Sequence, residues 1–579
     1  MNRLYAAIGS CLALLSLKAD GATYAQSSTP PEDRKSVERL VVAGKFVDVT
    51  PQSGIRFQYS SGHTTKKYLP ETMAPGVALF DYDNDGRLDI FVVNGTPLAD
   101  PTPPGTIPQK TGPEFWNRLF HQKSDGAFED VTVQAGLQGS GYGMGVAVGD
   151  YDNDGFEDLY VTAYGGNKLY HNNGNRTFTD VTEKAAVGGS GWSTSAAWVD
   201  LDQDGKLDLV VLRYLDWDFS DIWCGEHREG YRSYCHPDVF KTISPLVYHN
   251  EGGGRFTEVA QKTGLGKPGK GLGIAIADFD GDGRIDIFVA NDSMPEFLFR
   301  NKGDGTFEEV GLVSGAAVDG EGRTYAGMGV DFADYNNDGL PDIVVTDLAN
   351  QVYPLYQNNG DGTFDYVSSR TEISRITFMH SGWGIRFLDF DNDGWKDLLI
   401  AQGHDLDTIE LTSAHIRYRE TALLLRNNGK GFSDVSSESG AVFGQAWVGR
   451  GLATGDLDND GRVDAVITTN DGGLRILHNE TTNQNHWITF HLVGHKSNRD
   501  GIGAEINATT AKGSQYSTVT TSGSYLSSSD KRVHFGLGSA SKIEALEIRW
   551  PSGIVQTLRD ISVDRLLTVD EPFARPPVN

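Results

Sequence analysis

The sequence predicts an all-β protein, a seven-bladed β-propeller with a small β-rich domain at its C-terminal end. Three observations carry that expectation. A unit of about 50–80 residues recurs seven times. Each unit sets an acidic loop of one fixed spacing between a small-residue strand and a β-branched one. Past residue 480 the acidic loops stop, while apolar and polar residues go on alternating.

Composition sets the limits first. With 579 residues, 38% of them apolar, the chain can bury a substantial core, which excludes a disordered protein. Its 78 acidic residues against 50 basic ones give a net charge of −28. Such a charge repels phosphate backbones and anionic headgroups, so nucleic acid and membrane surfaces are excluded as default partners and cations are favoured.

Residues 1–25 hold Arg3, an apolar run from Leu4 to Leu17, and small residues through Ala25. This pattern resembles a secretory signal peptide, and the run is shorter than the ~20 apolar residues of a membrane anchor. Ile8-Gly-Ser-Cys11 weakly resembles a lipoprotein box, but the apolar run continues beyond Cys11. Residues 26–40 read as a linker, and no later stretch is apolar enough to span a bilayer. A secreted, periplasmic or extracellular protein is expected.

The repeats occupy 41–480. Each carries an aromatic followed by an acidic, β-branched stretch, as in Phe128-Glu-Asp-Val-Thr132 and Phe178-Thr-Asp-Val-Thr182. An early copy, Phe46-Val-Asp-Val-Thr50, stands ahead of the first acidic loop, where it is placed to complete the last blade. Each unit ends in a short strand running into a polar residue, as in Leu169-Tyr-His-Asn172. Units this small cannot bury both faces of a sheet alone, and stacking them radially gives a closed propeller.

The loops fit D-x-[DN]-x-D-G-x-x-D. They run Asp81, Asp83, Asp85, Asp89; Asp150, Asp152, Asp154, Asp158; and Asp200, Asp202, Asp204, Asp208. The fourth and fifth are Asp278, Asp280, Asp282, Asp286 and Asp334, Asn336, Asp338, Asp342. The last two are Asp389, Asp391, Asp393, Asp397 and Asp456, Asp458, Asp460, Asp464. Spacing by two lets short side chains converge on one point, and the glycine at position six supplies a left-handed turn. The main-chain oxygen of position seven is expected to join them, at Arg87, Phe156, Lys206, Arg284, Leu340, Trp395 and Arg462.

Oxygen-only donors at this density suit calcium better than magnesium, which keeps its waters and demands a stricter octahedron. The loops hold 27 of the 78 acidic residues, so seven calcium ions would halve the net charge from −28 to −14. An EF-hand opens with the same spacing, but there position twelve is a Glu and a helix follows. Here position twelve is Val92, Val161, Val211, Val289, Val345, Ile400 and Ile467, which predicts a strand.

Two insertions interrupt the pattern. Pro97 to Pro113 carries six prolines and reads as a surface loop, and Tyr214 to Leu246 carries Cys224 and Cys235. A third segment, Leu406 to Leu425, has weak helical patterning. In an exported protein the two cysteines suggest a disulfide, and the alternative is a zinc site with His227 and His236. Insertions of this kind gather on one propeller face, where specificity resides.

Loop, strand context and copy number together resemble the integrin-like FG-GAP (VCBS) repeat propellers. That resemblance implies that the aspartates above hold structural calcium, with Asn336 the one departure, and leaves the ligand open. The segment 485–571 is similar to the ASPIC and UnbV domain of cartilage-acidic-protein-like proteins. It has the same succession of blocks: Ser497-Asn-Arg-Asp-Gly-Ile-Gly-Ala504, Ser524-Tyr-Leu-Ser527, Val533-His-Phe-Gly-Leu-Gly538 and Trp550-Pro-Ser-Gly553. Residues 572–579 form a tail.

No nucleophile elbow, phosphate loop or metalloprotease helix accompanies the repeats. The leading expectation is therefore an exported, monomeric binding or adhesion module for a glycan, a surface protein or an envelope component. An enzyme is the alternative, a sugar lyase or hydrolase using a propeller channel, with His380 and His404 as candidate catalytic residues. A purely structural envelope protein is the third.

Overall fold

The computed structural model describes residues 44–573 apart from 74 and 471. The proposed signal peptide, the linker and Cys11 lie outside the described residues.

Seven antiparallel sheets repeat one strand order, inner to outer. The inner strands are Val77–Phe80, Tyr142–Gly149, Ser193–Val199, Gly271–Ala277, Val330–Ala333, Gly382–Leu388 and Gly449–Gly455. Each inner strand packs against the next, and the last packs against the first, so the sheets form a closed β-propeller. In the seventh sheet the outer strand comes from the start of the repeat region. Phe46–Asp48 pairs with Leu474–Asn479, with Phe46 opposite Asn479, as the early repeat copy predicts. Phe46 is buried against Phe390 and Phe443.

The aromatic–acidic segments close each blade on itself. In Phe128-Glu-Asp-Val-Thr132 the Asp130 carboxylate accepts from the amide and hydroxyl of Thr132, and the same hydroxyl accepts from the Leu119 amide of the neighbouring strand. A one-turn helix, Thr132–Ala135, follows. Position twelve of every acidic loop lies in a strand, which excludes the EF-hand arrangement. The Leu406–Leu425 segment supplies only a single helical turn, Ile409–Thr412, and Cys224 and Cys235 are joined by a disulfide, which removes both thiols from any zinc site.

Two features absent from the sequence reading join the blades. The first is an amide belt. A residue at or near the end of each third strand donates its side-chain amide to the main-chain oxygen at loop position two of the preceding blade: Asn172 to Tyr82, Asn250 to Tyr151, Asn301 to Leu201, Asn358 to Phe279, Asn427 to Tyr335, and Asn479 to Phe390. Gln122 to Leu457 at 3.0 Å completes the cycle. All seven amides are buried, so each bond satisfies a carbonyl that water cannot reach.

The second feature is the C-terminal domain. Its two sheets enclose a core built around Ile488, Phe490, Ile506, Phe535, Leu546 and Trp550. From it a serine-rich segment, residues 520–530, enters the propeller channel and bonds to the inner strand of every blade. Leu79, Val146, Ile274, Val330 and Thr454 contribute backbone groups, Ser195 its hydroxyl, and Arg386 its guanidinium. Glycines make room for it. A Cβ on Gly76 would stand 1.8 Å from the Leu526 oxygen. Elsewhere the glycines of the inner strands admit the neighbouring blade instead: a Cβ on Gly273 would stand 2.3 Å from the Met328 oxygen, and one on Gly384 2.7 Å from the Arg450 oxygen.

Candidate functional site

The acidic loops link the inner strand of each blade to the second. In the first loop Asp81 accepts from the amides of Asp85 and Gly86, Asp85 from the amide of Arg87, and Asp89 from those of Tyr82 and Gln122. The glycine at position six takes φ between 84° and 95° in all seven loops. These bonds fix the direction of each carboxylate before any ligand arrives. Oxygens of Asp81, Asp83 and Asp89 come within 4.8 Å of one another, and in three other loops two carboxylates do so with a histidine nitrogen, Asp152 and Asp154 with His171, Asp202 and Asp204 with His249, and Asp458 and Asp464 with His478.

The donor set fits a hard divalent cation. Two position-three carboxylates keep a buried oxygen without a hydrogen-bond partner, Oδ1 of Asp83 and Oδ1 of Asp280. An unpaired carboxylate oxygen in a buried setting calls for a cation. Burial pushes the ionisable groups the same way: Asp89 rises to about 6, Asp158 to about 7, Asp342 to about 9, and Asp200 and Asp456 to about 7. Crowded, desolvated carboxylates resist ionisation unless positive charge is supplied. In four loops a basic residue at position seven folds back onto position five, Arg87 onto Asp85, Lys206 onto Asp204, Arg284 onto Asp282 and Arg462 onto Asp460.

Sequence reasoning missed two participants. Histidines on the third strand, His121, His171, His249 and His478, stand 3.0–3.2 Å from the position-nine carboxylates of loops one, two, three and seven. At the same place the other blades carry Arg300, Gln357 and Arg426. The signal was present in the endings such as Tyr-His-Asn172, but the strand spacing gave it no partner. The second is position four. Asn84, Asn153 and Gln203 each donate to the position-six oxygen of the following loop, as do Asn337, Asn392 and Asn459. Asn459 to Gly86 closes this chain across the ring seam at 2.9 Å, and the one link missing falls at Gly281, which has no side chain.

The C-terminal domain covers this face. Asp500 accepts from the amide of Asp150, the Arg499 amide donates to Asn153, and Arg532 donates to the Asp456 oxygen. Lys531 sits between Asp500 and Glu157, 2.5 and 3.4 Å away.

The opposite face is irregular. It carries a cavity of about 190 Å³, walled by the disulfide-bearing insertion, the blade-five connection at Leu348 and the segment His404–Leu406. His404 lines it, its Nδ1 standing 2.8 Å from the Asp405 carboxylate and 3.0 Å from the Leu406 amide nitrogen. His380 is held elsewhere, 3.1 Å from Glu420, and does not line the cavity. No helix among the described residues is long and apolar enough to cross a membrane.

The FG-GAP-like repeat family matches residues 81–161, 150–211, 236–289, 278–345 and 334–400, and the ASPIC and UnbV family matches 494–576. Among curated proteins, the chain is 28% identical to cartilage acidic protein 1 of Xenopus tropicalis over 310 residues, covering 52% of this chain and 45% of that protein. It is 26% identical to the Homo sapiens protein over 308 residues, 51% of this chain and 43% of that one. The match thus spans less than half the length of either relative. Among solved structures, an Agrocybe aegerita lectin described as recognising non-reducing terminal N-acetylglucosamine aligns with TM-score 0.37 and 17% identity, covering 63% of this chain and 89% of that one.

Proposed function

Starting from a chain that belongs to the FG-GAP-like repeat family and ends in an ASPIC and UnbV domain, we propose that it is an exported, calcium-stabilised propeller whose task is binding. The position-one, -three, -five and -nine carboxylates, with Asn336 in the fifth loop, would hold the ions, and the position-seven main-chain oxygens would join them. The chemistry supplied is charge neutralisation, which lets seven crowded acidic loops lie side by side.

One observation carries this reading. The loop face is covered by the C-terminal domain, whose Asp500, Arg499 and Arg532 bond to the loops themselves. Ions buried at such a junction serve structure, and recognition falls to the opposite face, where the insertions gather. The intrachain disulfide and the N-terminal pattern support an oxidising, exported setting. A glycan, a surface protein or an envelope component is the ligand class, bound by a monomer.

The test is a calorimetric calcium titration of the mature protein, with thermal melts in calcium and in chelator, followed by a glycan and surface-protein screen of the loaded form. About seven ions and a chelator-sensitive melt are expected. A count near zero with unchanged melting would sink the metal reading.

A second reading, a sugar lyase or hydrolase, is favoured by one observation: His404, Asp405 and Asp292 share the cavity. The filled channel counts against catalysis inside the ring. Release of unsaturated or reducing ends from polysaccharides, lost in His404→Gln, would favour it. The same cavity weighs against a purely structural envelope protein.

A further inference from the structure

The cavity on the insertion face is blind. The channel segment closes it from beneath: the ring of Tyr525, fully buried, meets Trp383 edge-on at 4.9 Å and its hydroxyl donates to the Met73 sulfur at 3.3 Å. Trp383 and Met73 both line the cavity. A segment of the C-terminal domain thus forms the floor beneath the pocket.

Its walls are mostly apolar, with Leu272, Met328 and Trp383 buried around it. Against that background stand two carboxylates. Asp292, near the end of the strand Asp286–Met294, keeps partial exposure although it sits deep in the molecule, so the surface it retains faces the cavity. Its oxygens are held by hydroxyls, those of Tyr214 and, at 2.8 Å, of Ser293. Ser293 takes φ of 60°, a left-handed conformation that serine adopts only under constraint. The second carboxylate, Asp405, lies beside His404.

The charge balance selects the occupant. Burial chiefly raises the Asp292 pKa, and the negative charge of Asp405 raises it further, while His236 acts the other way from the rim. Asp405 is kept below the usual carboxylate range, because the positive charge of His404 and Arg450 outweighs its burial. Arg450 is already committed to main-chain oxygens of Thr72, Gly403 and Gly449 and lies over the Trp383 ring at 3.9 Å. A cation entering the cavity would meet both carboxylates between largely apolar walls, where the attraction is less screened than in open water.

We propose that this cavity binds a small organic cation, a molecule whose ammonium group sits between Asp292 and Asp405 while its carbon skeleton lies against Trp383 and Met328. The site rests on the binding-module reading and gives it a ligand class.

The test is calorimetric titration of the calcium-loaded full chain with three cationic probes, glucosamine, putrescine and choline, and with glucose as the neutral counterpart of glucosamine. At least one cationic probe is expected to bind in the millimolar range or tighter. Glucose should bind at least about tenfold more weakly than glucosamine, and Asp292→Asn should weaken the cation by about tenfold or more at an unchanged melting temperature. Asp405→Asn serves if the first variant does not fold. The proposal is overturned if no cationic probe binds at about 10 mM, if glucose binds as tightly as glucosamine, or if binding survives both substitutions. Calcium stoichiometry on the same sample separates the two readings: about seven ions without amine binding removes only this site.

Discussion

The two faces of the propeller are built by opposite rules. On the loop face one set of bonds recurs in every blade: the position-one carboxylate accepts from the amides of positions five and six in all seven loops. On the other face hardly two blades agree: one extends into a disulfide-bearing insertion, another runs its second strand on as far as Met294, and a third turns back through His404. Repetition specifies a scaffold, because a bond that recurs seven times also sets the spacing of the ring. Departure from repetition specifies recognition, since a pocket needs walls that differ from one another.

The sharpest way to break that comparison is to remove calcium. If the loops hold ions as proposed, chelation strips the scaffold of charge neutralisation at every blade. A ligand at a thousandfold its Kd contributes ~4 kcal/mol per site, so a fall in Tm of well over about 10 °C is expected by calorimetry. The disulfide-bearing insertion should keep its bridge through this. Loss of regular structure on the insertion face before the loop face, read by hydrogen exchange, would invert the assignment of roles.

Next in size come the two places where one residue holds the ring. Phe46 seals the seam and Tyr525 fills the channel, and both are buried to 1% or less. Either substitution to Ala should cost about 3–5 kcal/mol in denaturant melts. The two differ in where the damage shows. Phe46→Ala should raise proteolysis at the outer strand of the seventh blade, where Phe46 packs against Phe390 and Phe443, while Tyr525→Ala should open the floor of the cavity. Equal effects of both on the outer strand would mean that the C-terminal segment is no floor.

A smaller effect sharpens the role of the amide belt. Asn172→Ala removes a donor from the buried oxygen of Tyr82 and from that of Glu157, and should destabilise by about 1–3 kcal/mol. Asn173→Ala, one residue on and exposed, should cost less than about 0.5 kcal/mol.

Much of the scaffold was legible in the sequence because its signals are local. An aspartate ladder, a glycine with positive φ and a β-branched position twelve all lie within a dozen residues, so loop, turn and strand could be read together. Phe46 was legible for the same reason, as a displaced copy of a local pattern. The bonds between blades were not. Asn172 reaches a carbonyl 90 positions away and Gln122 one 335 away. Nothing in their own neighbourhoods names those partners. The cavity was hidden more deeply, since Asp292, Asp405 and Trp383 belong to three segments that only the closed ring brings together. The glycines around the inner strands were visible, but what they make room for, the next blade and at Gly76 the segment 520–530, lies far along the chain.

A last effect, close in size to that of Asn172→Ala, lies in the C-terminal domain and ties its signature blocks together. Glu571 is buried to 1% exposure and accepts from the amides of His495, Lys496 and Ser497 at 2.7–2.9 Å, from the Ser497 hydroxyl at 3.0 Å and from the Ser552 hydroxyl. Burial alone would raise its pKa, but the Ser552 hydroxyl and these amides outweigh it and hold the carboxyl below its ordinary value of 4.5. A carboxylate with a depressed folded-state pKa stabilises the fold fully above its unfolded value and loses that contribution as pH falls through the folded one. Glu571→Gln should therefore destabilise the C-terminal domain by about 1–2 kcal/mol at neutral pH, and the difference from the native chain should shrink as pH drops below about 4.5. Because residues 520–530 leave from this domain, the same variant should loosen the floor of the cavity without touching its walls. A pH-independent difference between the two chains would mean that Glu571 acts through packing rather than charge.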